Sequence, residues 1–162
     1  MDTVIIFLAQ DFYLIVLALA VAVLVLRYRR RLLELGGAAV IIGGLAFALA
    51  QTGARLIADP RPFLVSGGPP LIASAQDNGF PSDHTLLVAT AAAVVTVANP
   101  RAGALFWAAA ALVGLARVYA RVHHLLDVAG SLVIVGLALA IYAGIHWMWQ
   151  TRNAAQRAPL SD

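Results

Sequence analysis

The stretch FPSDHTLLVATAAAVV, residues 80–95, is an apolar run that opens on Pro81, Ser82, Asp83 and His84. After His84 only Thr85, Thr90 and Thr96 interrupt the apolar residues, and the run continues to Ala98, where Asn99, Pro100 and Arg101 stop it. Proline suits the start of a helix and serine suits its N-cap. The segment therefore reads as an apolar helix with a polar mouth. Free backbone amides and the positive end of the helix dipole make such a mouth an anion site. Capping accounts for Ser82 without any function. It does not account for His84, one turn inside a span, where an imidazole can donate a proton to an anion held at the helix end.

The rest of the chain has the same character. Of 162 residues, 62% are hydrophobic and 12% charged, with a mean hydropathy of +0.87. An ordinary soluble domain carries about 25% charged residues. The apolar residues also come in long runs rather than stripes, which points to membrane spans. Hydropathy places spans at about residues 4–26, 35–57, 82–98, 103–119 and 125–149. Gln10 and Asp11 interrupt the first, which is either one tilted span or a short interfacial helix followed by a span from Phe12. The expected fold is an all-α polytopic transmembrane bundle of about five spans, one domain over 1–162, with 152–162 a loose cytoplasmic tail. No cleavable signal peptide is expected, because the basic residues follow the first apolar run instead of preceding it. With no cysteine there is neither a disulfide nor a thiolate.

All 11 basic residues are arginine. Arg27, Arg29, Arg30, Arg31, Arg101, Arg152 and Arg157 fall on one side of the predicted bundle, and Arg55, Arg61, Arg117 and Arg121 on the other. The positive-inside rule puts the richer side in the cytoplasm. Trp107, Trp147 and Trp149 lie near the same ends, as an aromatic belt would. The basic residues bear on topology and not on nucleic acid, and the expected partners are membrane lipids.

Three clusters share the outer side: RLIADPRPF from Arg55, the helix mouth at residues 80–84, and ARVYARVHHLLDVAG from Ala116. His123 and Asp127, four apart, share a helix face. A carboxylate on one ring nitrogen fixes the tautomer and leaves the other bare and nucleophilic. A purely structural His–Asp pair fits the same spacing. A metal site of His123, His124 and Asp127 is weakened by the two histidines being adjacent and pointing to different faces. Four arginines on the poorer side suggest a phosphate clamp, against the alternative of snorkelling interfacial side chains.

In this order the clusters resemble the type-2 phosphatidic acid phosphatase family of membrane lipid phosphatases, whose pattern is K-x6-R-P, P-S-G-H and S-R-x5-H-x3-D. Arg61-Pro62, then Pro81, Ser82 and His84, then Arg117, His123 and Asp127 carry the resemblance. There are departures. Asp83 replaces the motif glycine and Ala116 the motif serine. Arg55, the nearest stand-in for the absent lysine, is one residue too close to Arg61. The resemblance implies that His123 attacks phosphorus, Asp127 orients it and His84 protonates the leaving oxygen. It also implies that Arg61, Arg117 and Ser82 hold the phosphate, with Arg55 beside them off its expected spacing. Asp83 and Arg121 are auxiliary, expected to pair so that Asp83 does not repel an anion. No cofactor and no metal are implied.

The form DNGFPSDH after a PRPF is most similar to the bacterial undecaprenyl-diphosphatase branch. The substrate is then a polyprenyl or other lipid phosphate at the outer face of the plasma membrane. Two alternatives are a broader phosphatidate or phosphatidylglycerophosphate phosphatase, and a small lipid transporter or flippase whose arginines only bind headgroups. Oligomeric state is left open.

Overall fold

The computed structural model describes residues 2–65 and 68–157. The elements are α1 (Asp2–Gln10), α2 (Phe12–Arg27), a 3-10 turn (Arg29–Arg31), α3 (Leu32–Leu56), the short α4 (Pro62–Val65), α5 (Asp83–Ala98), α6 (Pro100–Tyr119) and α7 (Leu125–Arg157). Among the described residues there is no strand, only an isolated bridge between Pro60 and Asn78.

Side-chain contacts give the helix directions. Tyr13, at the start of α2, packs edge-on against His84 at the start of α5, with ring centroids 4.4 Å apart. Asn78 Nδ2 donates to the Ala54 and Ile57 carbonyls at the end of α3, so that end lies beside the same loop. At the opposite pole Arg31 reaches the Val97 and Ala98 carbonyls that close α5. Asn99 then caps α6 by accepting from the Arg101 and Ala102 amides, which explains why the Asn-Pro pair ends one helix and starts the next. Helices α2, α5 and α7 run away from the Tyr13–His84 pole, and α3 and α6 run back.

Three stretches are long and apolar enough to cross a membrane: 12–56, which contains both α2 and α3, then 100–119 and 125–154. Helix α5, at 16 residues, is a shorter apolar helix. The surface agrees with a lipid environment, since Leu26, Leu33, Val40, Phe47 and Leu105 stand exposed around it. The interior is built on small residues: Ala38, Ala46, Ala50, Ala89, Ala93, Ala110 and Ala138 are all buried in one cluster. Lipid tails are as apolar as leucine, so helices in a bilayer gain by close backbone approach, which small side chains allow. Phe80 fills the slot this leaves. A Cβ on Gly53 or Gly130 would fall 2.9 or 2.2 Å from its ring, so α3 and α7 close on it only because both positions are glycine.

One expectation is corrected at the C-terminal end of the chain, and at the N-terminal end the structure takes the broken one of the two alternatives. Helix α7 does not stop near Trp149 but runs to Arg157, because the TRNAAQR segment has good helix formers and no breaker. Residues 158–162 of the expected loose tail lie outside the described residues. At the other end, α1 is a separate helix broken from α2 at Asp11. Its Ala9 is buried with Ile72, Ala116, Ala120 and Val122, so α1 lies against the end of α6.

Candidate active site

The pole where α5 and α7 begin also receives the loop between α3 and α5. Asn78 holds that loop. Its Oδ1 accepts from the Asp59 and Phe80 amides while its Nδ2 caps α3, so all the bonding capacity of one amide is spent on fixing backbone. The Gly79 amide donates to the Asp59 carbonyl at 2.8 Å, which brings the PRP and PSDH segments side by side.

His123 is 2% exposed and sits in the turn between α6 and α7. Its Nδ1 lies 3.0 Å from the Gly79 carbonyl oxygen and 3.2 Å from Asp127 Oδ2. Both partners only accept, so Nδ1 carries a proton. In the neutral ring Nε2 then keeps its lone pair. Arg61 Nη1 donates toward that atom from 3.3 Å. An unprotonated nitrogen thus faces a guanidinium and accepts from it. Asp127, fully buried, is fixed in turn: its Oδ2 also accepts from the His124 amide at 2.8 Å.

Arg61 is 6% exposed and is held from three sides. Its Nε donates to Asp77 Oδ1 at 2.8 Å, and its Nη1 to the Val122 carbonyl at 3.0 Å as well as to His123. Arg117, equally buried, donates from Nη1 to the Ala9 carbonyl at the end of α1, while its Nε is buried with no hydrogen-bond partner. Buried donors are rarely left unsatisfied, so this N–H is suited to a bound anion. His84 is half-buried at the first turn of α5 and within electrostatic reach of Arg117, His123 and Arg61.

The structure thus gathers Arg61, Arg117, His84, His123 and Asp127 at one pole. Ser82 is there too, but not as expected. It holds the N-cap position without a capping bond, and its Oγ instead accepts from the Thr85 hydroxyl at 3.0 Å. Its backbone is tied to α7, through its amide to the Asp127 carbonyl and its carbonyl to Ser131 Oγ. Arg55 stays apart, exposed on the last turn of α3 and without an ion-pair or hydrogen-bond partner among the described residues. The expected Asp83–Arg121 pair does not form. Arg121 has a positive φ of 61° and its guanidinium lies over Gly68, while Asp83 is exposed at the end of a groove between α2, α3 and α5.

Several contributors were invisible to motif reading: the carbonyls of Gly79 and Ala9, Asn78, and the ion-pair partner Asp77. The only sequence signal for Gly79, Asn78 and Asp77 was the AQDNG segment directly before the helix mouth, and none marked Ala9. The metal-ligand side chains that converge among the described residues are Asp59, His124 and Asp127, within 4.8 Å of one another. That is a different trio from the one the sequence suggested, because His124 points away from His123 and toward the Asp59 loop.

Comparison with known proteins now has a geometry to be set against. The profile of the PAP2 superfamily matches residues 31–154, which include every residue of this pole except those of α1 and α2. The chain is similar to the bacitracin transport permease protein BcrC of Bacillus licheniformis, 32% identical over 149 residues, 88% of this chain and 70% of the relative. It is also similar to the putative undecaprenyl-diphosphatase YbjG of Escherichia coli (strain K12), 30% identical over 155 residues, 94% of this chain and 76% of the relative. No solved structure gives a significant match.

Proposed function

The chain belongs to the PAP2 superfamily, and on that premise we propose that it is a membrane lipid phosphatase that takes the terminal phosphate off undecaprenyl diphosphate. The observation that carries this reading is the His123 Nδ1–H held by two acceptors, which leaves Nε2 unprotonated beside Arg61. In the proposed reaction Nε2 attacks the terminal phosphorus and the bond to the bridging oxygen breaks. His84 gives that oxygen its proton. The resulting phosphohistidine is hydrolysed by a water that His84, now basic, deprotonates. Arg61 and the unsatisfied Nε of Arg117 neutralise the equatorial oxygens, with the first amides of α5 and the Ser82 segment beside them. Preorganised donors of this kind contribute about 10²–10³ each in rate.

A lipid substrate is supported by the groove of about 650 Å³ between α2, α3 and α5, lined by Leu17, Leu24, Gly43, Phe47, Leu87 and Val94 and ending at Asp83, next to His84. Its walls suit an isoprenoid or acyl chain whose headgroup rests at the pole. Five membrane crossings, by α2, α3, α5, α6 and α7, would put that pole opposite the RYRRR turn. By the positive-inside rule it would face the periplasm or exterior of a bacterial plasma membrane. The YbjG name favours the undecaprenyl substrate over phosphatidate.

A transport reading is favoured by one observation, the permease name of the BcrC relative. The two separate in one assay. Purified protein without added metal is given undecaprenyl diphosphate, phosphatidate and phosphatidylglycerophosphate, and free phosphate is measured. Release from the first above the others is expected. Binding with no release from any of them would favour transport and end the enzymatic reading.

A further inference from the structure

The two histidines of the site are held in different ways. Two acceptors fix the His123 Nδ1–H. The half-buried ring of His84 has no hydrogen bond and no ion pair among the described residues. The outer torsion of a histidine is broad, so an imidazole without partners turns. Displacing a reacting group by about an ångström costs on the order of 10²-fold in rate. One contact restrains His84. The ring of Tyr13 lies against it, with centroids 4.4 Å apart and planes at 71°, an edge-to-face arrangement that aromatic pairs prefer. We propose that Tyr13 is a positioning residue for His84, setting the plane of the imidazole by ring contact so that both its nitrogens stay free for proton transfer.

Tyr13 is itself fixed. It stands in the first turn of α2, half-buried and packed against the main core cluster, with Val16 buried three residues further on the same face. The break at Asp11 brings this turn to the pole, since Ala9 just before it is buried and its carbonyl is tied to Arg117. Tyr13 also lies within electrostatic reach of Arg117, so one side chain adjoins both the acid and a phosphate-binding arginine. The chemistry asks for a contact of this kind. A carbonyl or carboxylate on one ring nitrogen would commit a proton there, as it does on His123. In the proposed reaction His84 gives a proton to the bridging oxygen and later takes one from water. A ring contact orients it for both steps and commits neither nitrogen. None of the three motifs includes Tyr13, because it reaches the site from a helix that precedes them all.

The inference rests on the acid–base role of His84 in the proposed reaction. Tyr13→Phe keeps the ring, and Tyr13→Leu keeps apolar bulk without it. With undecaprenyl diphosphate, Tyr13→Phe is expected to hold kcat within about threefold, and Tyr13→Leu to lose about tenfold or more with KM little changed. Phosphohistidine formation from p-nitrophenyl phosphate, read by rapid quench, is expected to change little in Tyr13→Leu, because that leaving group needs no proton. In a His84→Ala background Tyr13→Leu should cost nothing further. A second measurement does not depend on turnover. The chain has four histidines, and in spectra of histidine-labelled protein in detergent the His84→Ala variant identifies the His84 ring signal. That signal is expected to move in Tyr13→Leu and to stay in Tyr13→Phe. A Phe variant as slow as the Leu variant, equal losses on both substrates, an undiminished loss in the His84→Ala background or an unmoved His84 signal would each overturn the proposal. So would an effect confined to KM, which would make Tyr13 a wall of the lipid groove. If wild type releases no phosphate at all, the phosphatase reading fails, and the histidine spectra still decide whether Tyr13 holds the His84 ring.

Discussion

The carbonyl oxygen of Gly79 lies 3.0 Å from His123 Nδ1, across 44 residues of sequence, and this contact assigns the imidazole proton. A carboxylate partner alone would leave open on which side of the His–Asp bond the proton sits. A carbonyl cannot carry a proton, so the N–H belongs to Nδ1 and the lone pair to Nε2.

Gly79→Ala follows directly. The new methyl would meet Asp127 Oδ2 at 2.9 Å and the Asp59 carbonyl at 3.0 Å, both too short. Relief requires moving the acceptors of His123. A loss of about 10²-fold in kcat is expected, in line with displacing a catalytic group by about an ångström, with little change in thermal stability in detergent. Phosphate-release kinetics beside a melting curve would check it; an active variant would mean the Gly79 contact is incidental.

His123→Ala is expected to remove turnover and leave a folded protein. His84→Ala is a sharper test of chemistry. With a lipid diphosphate its rate should fall by about 10²–10⁴, the usual worth of acid–base help. With p-nitrophenyl phosphate, whose leaving group needs no proton, the loss should be smaller in the phosphohistidine-forming step, read by rapid-quench labelling. Equal losses on both substrates would argue against His84 as the acid.

Arg61→Lys keeps the charge and loses the shape. Arg61 points donors at Asp77, Val122 and His123 at once, which one ammonium cannot reproduce. A drop of about 10²–10³ in kcat/KM is expected. Arg55→Ala, on an exposed arginine without partners among the described residues, is expected to change the rate little. The comparison, run in one assay, separates the two arginines that the sequence placed together.

Helix α1 should matter to chemistry through one bond. Arg117 Nη1 donates to the Ala9 carbonyl at 2.9 Å, so deleting residues 2–10 frees that guanidinium. A loss of about tenfold in kcat/KM is expected in the wild-type background. In an Arg117→Ala background the same deletion should cost much less, which is the signature of coupling in a double-mutant cycle. Equal costs in both backgrounds would make α1 a general stabiliser.

Much of this was legible in the sequence because it is local. Long apolar runs, the Asn-Pro break at residues 99–100 and the cluster of arginines on one side specify helices and where they end, and each is decided within a few turns of chain. His123 and Asp127 do meet, as their spacing predicts, but not on one helix face: His123 lies in the turn before α7, and the turn rather than helical periodicity brings its ring to Asp127. What only the tertiary structure decided is which backbone atoms face those side chains. The carbonyls of Gly79 and Ala9 are the same group that every residue carries, so no residue type marks them as the partners of His123 and Arg117. Asp59 and His124 are ordinary polar residues until the loop between α3 and α5 sets one carboxyl beside another. Packing alone makes those meetings, and the proton on His123 depends on them.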